Sequence, residues 1–468
     1  MLIVGSIVGN FGIARAMVSK SGTTTGKWFL ALGIAANLGV LGYFKYADFF
    51  VETANTAFGG SMSVPTIFLP LAISFFTFQQ IAFLVDVHRR EIEPPPALEY
   101  GLFVSFFPQL IAGPIVLLRE VLPQFRQIGS ASAIAANLSV GATFFAIGLI
   151  KKVIIADGMA AYANLVFNGA TAGMAPTFFE AWFGTVAFGF QIYFDFSGYS
   201  DMAIGLARMF GIRLPFNFHS PYKATSIIDF WRCWHITLSR FLRNYLYVPL
   251  GGNRRGRHRR YLNIMVVMLL GGLWHGAGWT FVLWGGLHGL YLLVNHAWRA
   301  WRPKSNNPSV SEARRLALRV LTFTAVSFAW VPFRAVDMEA TIKVWHAMFA
   351  LDGVSLPRSL RPVLGDAATL FETLGARFEG TFGHTILVTP IELPIFLIIV
   401  LAVCWWLPST QEIMAAHRPG LTSPHAPAVE PGKLLWRPDL RWAAVVGVFL
   451  AIGGYNLMAP VRFIYFQF

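Results

Sequence analysis

Long apolar runs alternate with short polar stretches along almost the whole chain. A membrane-spanning helix needs about 20 mostly apolar residues, and ten or eleven runs approach that length. They lie near residues 2–17, 28–45, 64–87, 99–117, 133–155, 179–196, 261–279, 280–298, 315–333, 392–408 and 440–458. The pattern predicts an all-α, polytopic integral membrane protein.

Two stretches depart from the plain spanning pattern and predict re-entrant or interfacial helices. The run at 99–117 contains Pro108, Gly113 and Pro114, which fit a broken segment buried against other helices. Residues 197–250 are too polar and too rich in turn residues for a plain span, yet they are also rich in aromatic residues. Polar and aromatic residues together are typical of a segment that lies at the interface or dips into the protein.

Composition and charge support a membrane location. Of the 468 residues, 55% are hydrophobic and only 13% are charged, against roughly 25% charged residues in a soluble domain. The net charge of +14 comes from 37 Lys and Arg against 23 Asp and Glu. These basic residues lie in short loops between apolar runs, as the positive-inside rule requires. We therefore expect no nucleic-acid partner.

The strongest basic run predicts a cytoplasmic loop. Its arginines are Arg254, Arg255, Arg257, Arg259 and Arg260. A second basic run lies within 299–315, so the two apolar segments between the runs are predicted to form a hairpin with both ends in the cytoplasm. The polar stretch 334–391 is then placed outside, and 409–439 inside.

Charged and titratable residues at membrane depth are costly and therefore indicate function. The candidates are Asp195, Asp201, His235, His275 and His288. The two cysteines, Cys233 and Cys404, lie in or beside apolar segments, and no histidine pair at i, i+4 has an acidic partner. The sequence thus predicts no metal site.

His275 is the sharpest of these candidates. It lies roughly fifteen residues beyond the basic run, which at 1.5 Å per residue is near mid-bilayer. A neutral imidazole there can act as a base, and Gly271, Gly272 and Gly276 permit close backbone approach. For a lone histidine, an interhelical hydrogen bond is the more common role. A lipid or glycan transporter that uses the histidines as a proton relay is a further alternative.

Six sequence strings indicate a family. They are LGYFKYADFF (41–50), FPQLIAGP (107–114), YFDFSGYSDMAIG (193–205), FNFHSPY (216–222), DFWRCWHITLSRFLRNYLYVPLGGNR (229–254) and LLGGLWHGAGWTFVLWGGLHG (269–289). In these strings the chain resembles the membrane-bound O-acyltransferase family, and within it the bacterial membrane subunits of alginate O-acetylation. The resemblance covers most of residues 28–335. It implies a single domain over 1–468, with C-terminal spans within 390–460.

The resemblance implies roles for the candidate residues. His275 falls on the intramembrane histidine of the family and His235 on a second polar position, so both are expected to be catalytic. The expected supporting polar residues are Asn244, Asp195, Asp201 and His288. The basic loop from Arg254 to Arg260 is expected to attract the phosphates of the acyl donor.

Three features depart from the family pattern. Asn244 stands where bacterial relatives usually carry Asp, and Gln109 stands where His is common. Both concern the polar network around the histidines. The chain also begins later than the pattern, which predicts a further hydrophobic span encoded upstream of Met1.

The implied function is O-acetyl transfer at a bacterial inner membrane. Acetyl-CoA or a similar acyl donor serves as substrate, with no permanently bound cofactor. Acetyl groups move toward hydroxyls of an extracellular polysaccharide such as alginate, through an extracytoplasmic acetyltransferase partner. Alternatives within the enzyme class are D-alanyl transfer to teichoic acid and acetylation of cellulose or peptidoglycan.

Overall fold

The fold of this chain is almost entirely helical. The computed structural model describes residues 1–20, 22–63, 67–127, 131–301, 311–351, 353–356, 358, 360–373, 375–378 and 392–457. Its α-helices are Leu2–Ser19, Thr24–Leu41, Ala47–Phe58, Ile73–His88, Ala97–Ser105, Phe107–Leu110, Leu118–Phe125, Ala131–Ile150, Asp157–Thr171, Phe178–Met209, Ile227–Cys233, Ile236–Phe241, Gly256–His275, Trp279–Trp301, Glu312–Arg334, Met338–Met348, Leu360–Leu364, Ala367–Thr373, Glu392–Trp406, Thr410–Ile413 and Leu440–Asn456.

Other regular elements are short. Three π-helical turns, Gly42–Tyr46, Lys151–Ala156 and Leu242–Tyr247, continue α-helices, and 3-10 turns cover Pro221–Lys223 and Ala415–His417. Two-residue strands, Val354–Ser355 and Ala376–Arg377, pair in parallel.

Several helices have the length and composition of membrane spans. Among the described residues, four continuous helices qualify: Leu2–Ser19, Thr24–Phe58, Ala133–Thr171 and Glu312–Arg334. Two shorter apolar helices are Glu392–Trp406 and Leu440–Asn456. Large apolar side chains on the first two helices, such as Val8 and Leu32, are more than half exposed, as lipid-facing residues are. The prediction of an all-α polytopic membrane protein is confirmed.

The helix Phe178–Met209 lies inside the protein rather than against lipid. Most of its 32 residues are buried, including Glu180, Asp195 and Asp201. It packs most extensively against Ala131–Ile150. Protein rather than hydrocarbon surrounds its carboxylates, so polar partners can offset their burial.

Part of the prediction for 197–250 is wrong. Residues up to Met209 continue the buried helix, because Ser197, Gly198 and Ser200 act as small packing residues there and not as turn residues. The remainder does break from a plain span, as predicted. It forms short helices separated by extended residues, with His235 between two of them.

A glycine seam joins Ala131–Ile150 to the buried helix. A Cβ atom added at Gly141 would lie 2.6 Å from the carbonyl oxygen of Gly205, and one at Gly148 would lie 2.6 Å from that of Gly198. Gly141 and Gly148 are seven residues apart on one helix, and Gly198 and Gly205 are seven residues apart on the other. Both contacts therefore fall on one face of each helix. Small residues of this kind let the backbones of membrane helices touch.

The predicted hairpin is present. Helix Gly256–His275 ends where Gly276 adopts extended backbone, and Trp279–Trp301 returns alongside it. The backbones touch at Gly272, where an added Cβ would lie 2.2 Å from the carbonyl oxygen of Phe281. Of the glycines around His275, Gly272 thus shows the expected close backbone approach.

The basic run is only partly a loop. Arg254 and Arg255 lie in turns, whereas Arg257, Arg259 and Arg260 already belong to the first turns of the hairpin helix. The helix begins early because no Pro or further Gly interrupts the sequence after Gly256. In the second basic run, Arg302 and Lys304 lie outside the described residues.

The segment 99–117 is broken, as predicted. Helix Ala97–Ser105 stops before Phe107–Leu110, which carries Pro108 in its first turn. Residues 112–118 then run through the interior and are buried. This segment brings Ile115 to Thr237, whose hydroxyl accepts a hydrogen bond from the Ile115 backbone at 2.9 Å.

Candidate active site

His275 is the last residue of its helix and is 5% exposed. Its imidazole lies among aromatic rings, with ring centroids of Trp274, Trp284 and Phe333 at 5.0, 5.1 and 5.2 Å. The ring of His235 is 6.3 Å away, centroid to centroid. The structure therefore brings the two predicted catalytic histidines together inside the protein.

The end of the His275 helix is held by another helix. Its final carbonyls would lack partners within the helix. The hydroxyl of Tyr46 donates to the Leu273 carbonyl at 2.9 Å. The ammonium of Lys45 donates to the Trp274 and His275 carbonyls at 2.7 and 3.1 Å. Both donors come from the π-helical turn Gly42–Tyr46, so this turn fixes the backbone at His275.

His235 is fully buried and has a left-handed backbone, with φ of 40° and ψ of 55°. Such a conformation costs about 1–3 kcal/mol for a residue other than glycine and is frequent at functional sites. Here it directs the chain between helices Ile227–Cys233 and Ile236–Phe241. The sequence shows no glycine at this position, so the strain could not be read from it.

Asn217 determines which nitrogen of His235 carries the proton. The Asn217 side-chain oxygen accepts hydrogen bonds from the Thr237 backbone at 3.3 Å and from the Thr237 hydroxyl at 2.9 Å. The same oxygen lies 3.0 Å from Nδ1 of His235. Because an oxygen accepts, Nδ1 must be the donor, and a neutral imidazole then has an unprotonated Nε2. That assignment follows from the hydrogen-bond network.

The Nε2 atom of His235 is a buried proton acceptor. Among the described residues it has no hydrogen-bond partner. Such an atom is costly to bury unless a substrate or water occupies the space beside it. Nε2 of His235 is therefore an unpaired proton acceptor held inside the protein.

Residues outside the predicted set support this arrangement. The Asn217 amide donates to Ser200 at 3.3 Å, and the Asn217 carbonyl accepts from the Ile236 backbone at 2.9 Å. Asn217 lies within the string FNFHSPY, but the sequence alone assigns it no role. The signal was present, but only the folded chain shows what Asn217 contacts.

The C-terminal region holds the Asn217 segment in place. Leu421 exchanges backbone hydrogen bonds with Leu214 and Phe216 at 2.8 and 2.9 Å, and Gln411 donates to the Phe218 carbonyl at 2.9 Å.

Burial by itself would raise the pKa of Glu412, the residue after Gln411. The imidazole of His219, 3.8 Å from its carboxylate, a hydrogen bond from the Ser409 backbone and the nearby charge of Lys223 instead lower the pKa of Glu412 to about 2.

His288 lies next to the pair but is enclosed by aromatic rings. It is fully buried, with the centroids of Trp284 and Trp231 at 4.8 and 5.2 Å. Trp284 contacts both His275 and His288. Within the described part of the chain, neither nitrogen of His288 has a hydrogen-bond partner.

Asp195 and Asp201, on the helix Phe178–Met209, form ion pairs with lysines. Asp195 lies 2.7 Å from the ammonium of Lys152, and Asp201 lies 2.6 Å from that of Lys151. Thr410 also donates to Asp201 at 2.7 Å. Both carboxylates are thus placed against lysine ammonium groups.

Asn244 and the arginines lie at another part of the molecule. Asn244 is half-buried in the π-helical turn Leu242–Tyr247, and its carbonyl accepts from Arg89 at 3.3 Å. Arg254 to Arg259 are exposed, whereas Arg260 contacts a ring nitrogen of His296 at 2.8 Å. The exposed members of this set are therefore Arg254, Arg255, Arg257 and Arg259, whereas Asn244 and Arg260 are half-buried.

A small cavity opens beside His275. Its volume is about 150 Å³. Its lining is Lys45, Leu69, Pro70, Leu71, Ala72, Ile73, Ser74, Phe75, Ile111, Ala112, Trp274 and His275. A mostly apolar wall with a few convergent polar groups is typical of small-molecule sites. No group of three or more His, Cys, Asp or Glu suited to a metal ion occurs among the described residues.

The fold and site together define an integral membrane enzyme with a buried histidine pair. The chain belongs to the membrane-bound O-acyltransferase family, whose model matches residues 87–331. That match includes both His235 and His275, and acyl transfer is the chemistry of the family. The family resemblance predicted from the sequence is confirmed.

Three known proteins are similar to this chain over much of its length. The chain is 45% identical to a peptidoglycan O-acetyltransferase of Helicobacter pylori over 380 residues, 76% of this chain and 71% of that protein. It is 44% identical to a probable alginate O-acetylase AlgI of Azotobacter vinelandii over 335 residues, 70% of this chain and 64% of that protein. A teichoic acid D-alanyltransferase of Streptococcus thermophilus is 24% identical over 236 residues, 49% of this chain and 57% of that protein. The chain thus spans about two thirds of the first two relatives.

Proposed function

We propose that this protein is an O-acetyltransferase of a bacterial inner membrane. It moves acetyl groups from a cytoplasmic donor, acetyl-CoA or a similar thioester, toward hydroxyls of an extracellular polysaccharide such as alginate. The whole chain, 1–468, acts as one domain. The names of the peptidoglycan and alginate relatives support acetyl as the transferred group.

The observation that carries this proposal is the buried pair of His275 and His235, with ring centroids 6.3 Å apart beside a small cavity. His275 acts as general base and removes the proton of an acceptor hydroxyl, for which it must come within hydrogen-bond reach. The hydroxyl oxygen attacks the thioester carbonyl, and the thiol leaves with the proton.

In this mechanism Nε2 of His235 accepts a hydrogen bond. Two roles are open to His235, orientation of His275 or polarisation of the acyl carbonyl. Polarisation requires a donor, whereas the contact with Asn217 leaves Nε2 of His235 unprotonated. The geometry therefore supports orientation of His275 or of the acceptor hydroxyl.

Donor and partner are assigned to opposite sides of the membrane. The exposed arginines Arg254, Arg255, Arg257 and Arg259 attract the phosphates of the donor from the cytoplasm. An extracytoplasmic acetyltransferase of the same pathway takes over the acetyl group and completes transfer to the polymer. Asn244, Asp195, Asp201 and His288 keep the supporting role proposed from the sequence.

The test is acetyl transfer by purified protein in detergent or nanodiscs. We expect release of CoA from acetyl-CoA, and a loss of about 10² to 10⁴ in rate for His275→Ala, the range for a general base. His235→Ala should weaken transfer strongly and His288→Ala less. Rates are compared per unit of folded protein, measured by size-exclusion chromatography. Near-normal transfer by folded His275→Ala protein would remove His275 from the mechanism.

A second acyl group and other acceptors have specific support. The relative that transfers D-alanine makes D-alanyl transfer the next candidate, and the peptidoglycan relative makes peptidoglycan an acceptor to set beside alginate. Parallel assays with acetyl and D-alanyl donors, and with alginate and peptidoglycan fragments, separate these possibilities. A transporter, in contrast, would release no thiol from any of the donors.

A further inference from the structure

Lys45 places a positive charge beside His275 without an acidic partner nearby. No carboxylate oxygen of the described residues lies within 4 Å of its ammonium in an ion pair. Lys45 is half-buried on the helix Thr24–Phe58, which has the composition of a membrane span. A charged side chain within such a helix is costly and usually functional.

Capping the His275 helix does not explain the charge. Tyr46, from the same π-helical turn, caps the Leu273 carbonyl with a neutral hydroxyl. A neutral donor at position 45 could serve the two following carbonyls in the same way. The indole ring of Trp274, 6.0 Å from the ammonium, stabilises the cation only in part.

The remaining donor of Lys45 is available at the cavity. An ammonium has three donors. Two are used by the carbonyls of Trp274 and His275, and the third donates to the Ser74 hydroxyl at 3.5 Å, a long hydrogen bond that a substrate oxygen at the cavity can replace. Lys45, Ser74 and His275 all line the cavity beside the histidine.

We propose that Lys45 is a catalytic residue whose ammonium donates a hydrogen bond to the acyl carbonyl oxygen in the tetrahedral transition state. This inference rests on the proposed function. As the acceptor hydroxyl attacks, the new C–O bond forms and the carbonyl π electrons move to oxygen, while His275 takes the hydroxyl proton. When the carbonyl re-forms, the C–S bond breaks and the thiolate receives that proton. Lys45 keeps its own proton throughout.

The geometry suits this role because donor and base are fixed relative to each other. Lys45 bonds to the carbonyl of His275 itself, so the ammonium and the imidazole are anchored to one residue. A preformed donor of this kind acts most strongly where water is excluded. The cavity of about 150 Å³ resembles in size engineered protein cavities that hold benzene. It therefore suits a short acyl group.

The test compares Lys45→Met with the matched control Tyr46→Phe. Both remove a cap from the same helix end, but only the first removes the charge. We expect Lys45→Met to lower kcat about 10²- to 10³-fold, as loss of an oxyanion donor does, with a smaller change in KM for acetyl-CoA. Tyr46→Phe loses one neutral cap of that helix end and should lower kcat by less than Lys45→Met does. Binding of a thioether analogue without the thioester carbonyl should be unchanged in both.

A second variant covers failure of Lys45→Met to fold. Lys45→Gln retains a donor for the two carbonyls but lacks the charge, and it should fold with kcat reduced by at least about tenfold, because charge-assisted hydrogen bonds are about twice as strong as neutral ones. Equal kcat in wild type and either folded variant overturns this inference alone. A wild-type protein that transfers acyl groups from no thioester overturns the proposed function as well.

Discussion

At the scale of single residues, the protonation of His235 is the feature on which the mechanism depends most. Two different groups of Thr237 donate to the Asn217 oxygen, so that oxygen can only accept from Nδ1 of His235. A neighbour that selects the tautomer of a histidine has the same function in the triads of hydrolases. Asn217 is thus a positioning residue, acting through His235.

Asn217→Leu should lower kcat about 10- to 100-fold, the range for loss of a residue that orients another. Its side chain cannot accept the Nδ1 proton, so both tautomers of His235 become populated. Asn217→Asp should retain more activity, because a carboxylate oxygen still accepts that proton. The measurement is kcat per unit of folded protein.

Ser200→Ala is the matched control for Asn217. It removes the partner of the Asn217 amide, at 3.3 Å, and leaves the oxygen free to bond His235. We expect near-normal activity. If Asn217→Asp is as inactive as Asn217→Leu while both fold, selection of the tautomer is not the role of Asn217.

At the scale of elements, close backbone contact decides how the helices pair. The glycines of Ala131–Ile150 and Phe178–Met209 meet without room for a methyl group. Similar contact at Gly272 sets the two arms of the hairpin together and so places His275 against Trp284. Because glycine has no side chain, these helices can approach one another closely enough to form the site.

Gly148→Ala should destabilise the protein by about 1–3 kcal/mol, since its Cβ would meet a backbone oxygen that cannot turn aside. Gly39→Ala is the control, because nothing lies within 4 Å of a Cβ added there. Thermal unfolding in detergent distinguishes the two. Equal midpoints for both variants would contradict the packing seen at the glycine seam.

At the scale of the whole molecule, the orientation in the membrane stays a prediction. We expect both ends of the hairpin to face the cytoplasm. Cysteines introduced at Arg257 and Ser311 should therefore resist an impermeant thiol reagent added outside intact cells, while one at Asp366 should react. Both native cysteines are buried, so background labelling should be low. Labelling of Arg257→Cys and Ser311→Cys from outside would contradict the predicted topology.

Hydrophobic patterning determined the class of fold from the sequence alone. Apolar runs near the length of a bilayer can only be helices, because hydrocarbon offers backbone groups no other partners. The hairpin and the break near Pro108 followed from the same reasoning. The helix Phe178–Met209 was less predictable, since its Ser, Gly and Asp residues read as polar until other helices are seen to surround them.

The motifs around His235 and His275 were also sufficient to identify the two histidines and the family. What only the tertiary structure decided are the contacts between residues far apart in the chain. Lys45 bonds to the carbonyl of His275 across 230 positions, and Asn217 selects the proton of His235. The physical reason is that hydrogen bonds are directional and short. A sequence shows which groups can form them, whereas only folding brings the atoms to a separation of about 3 Å.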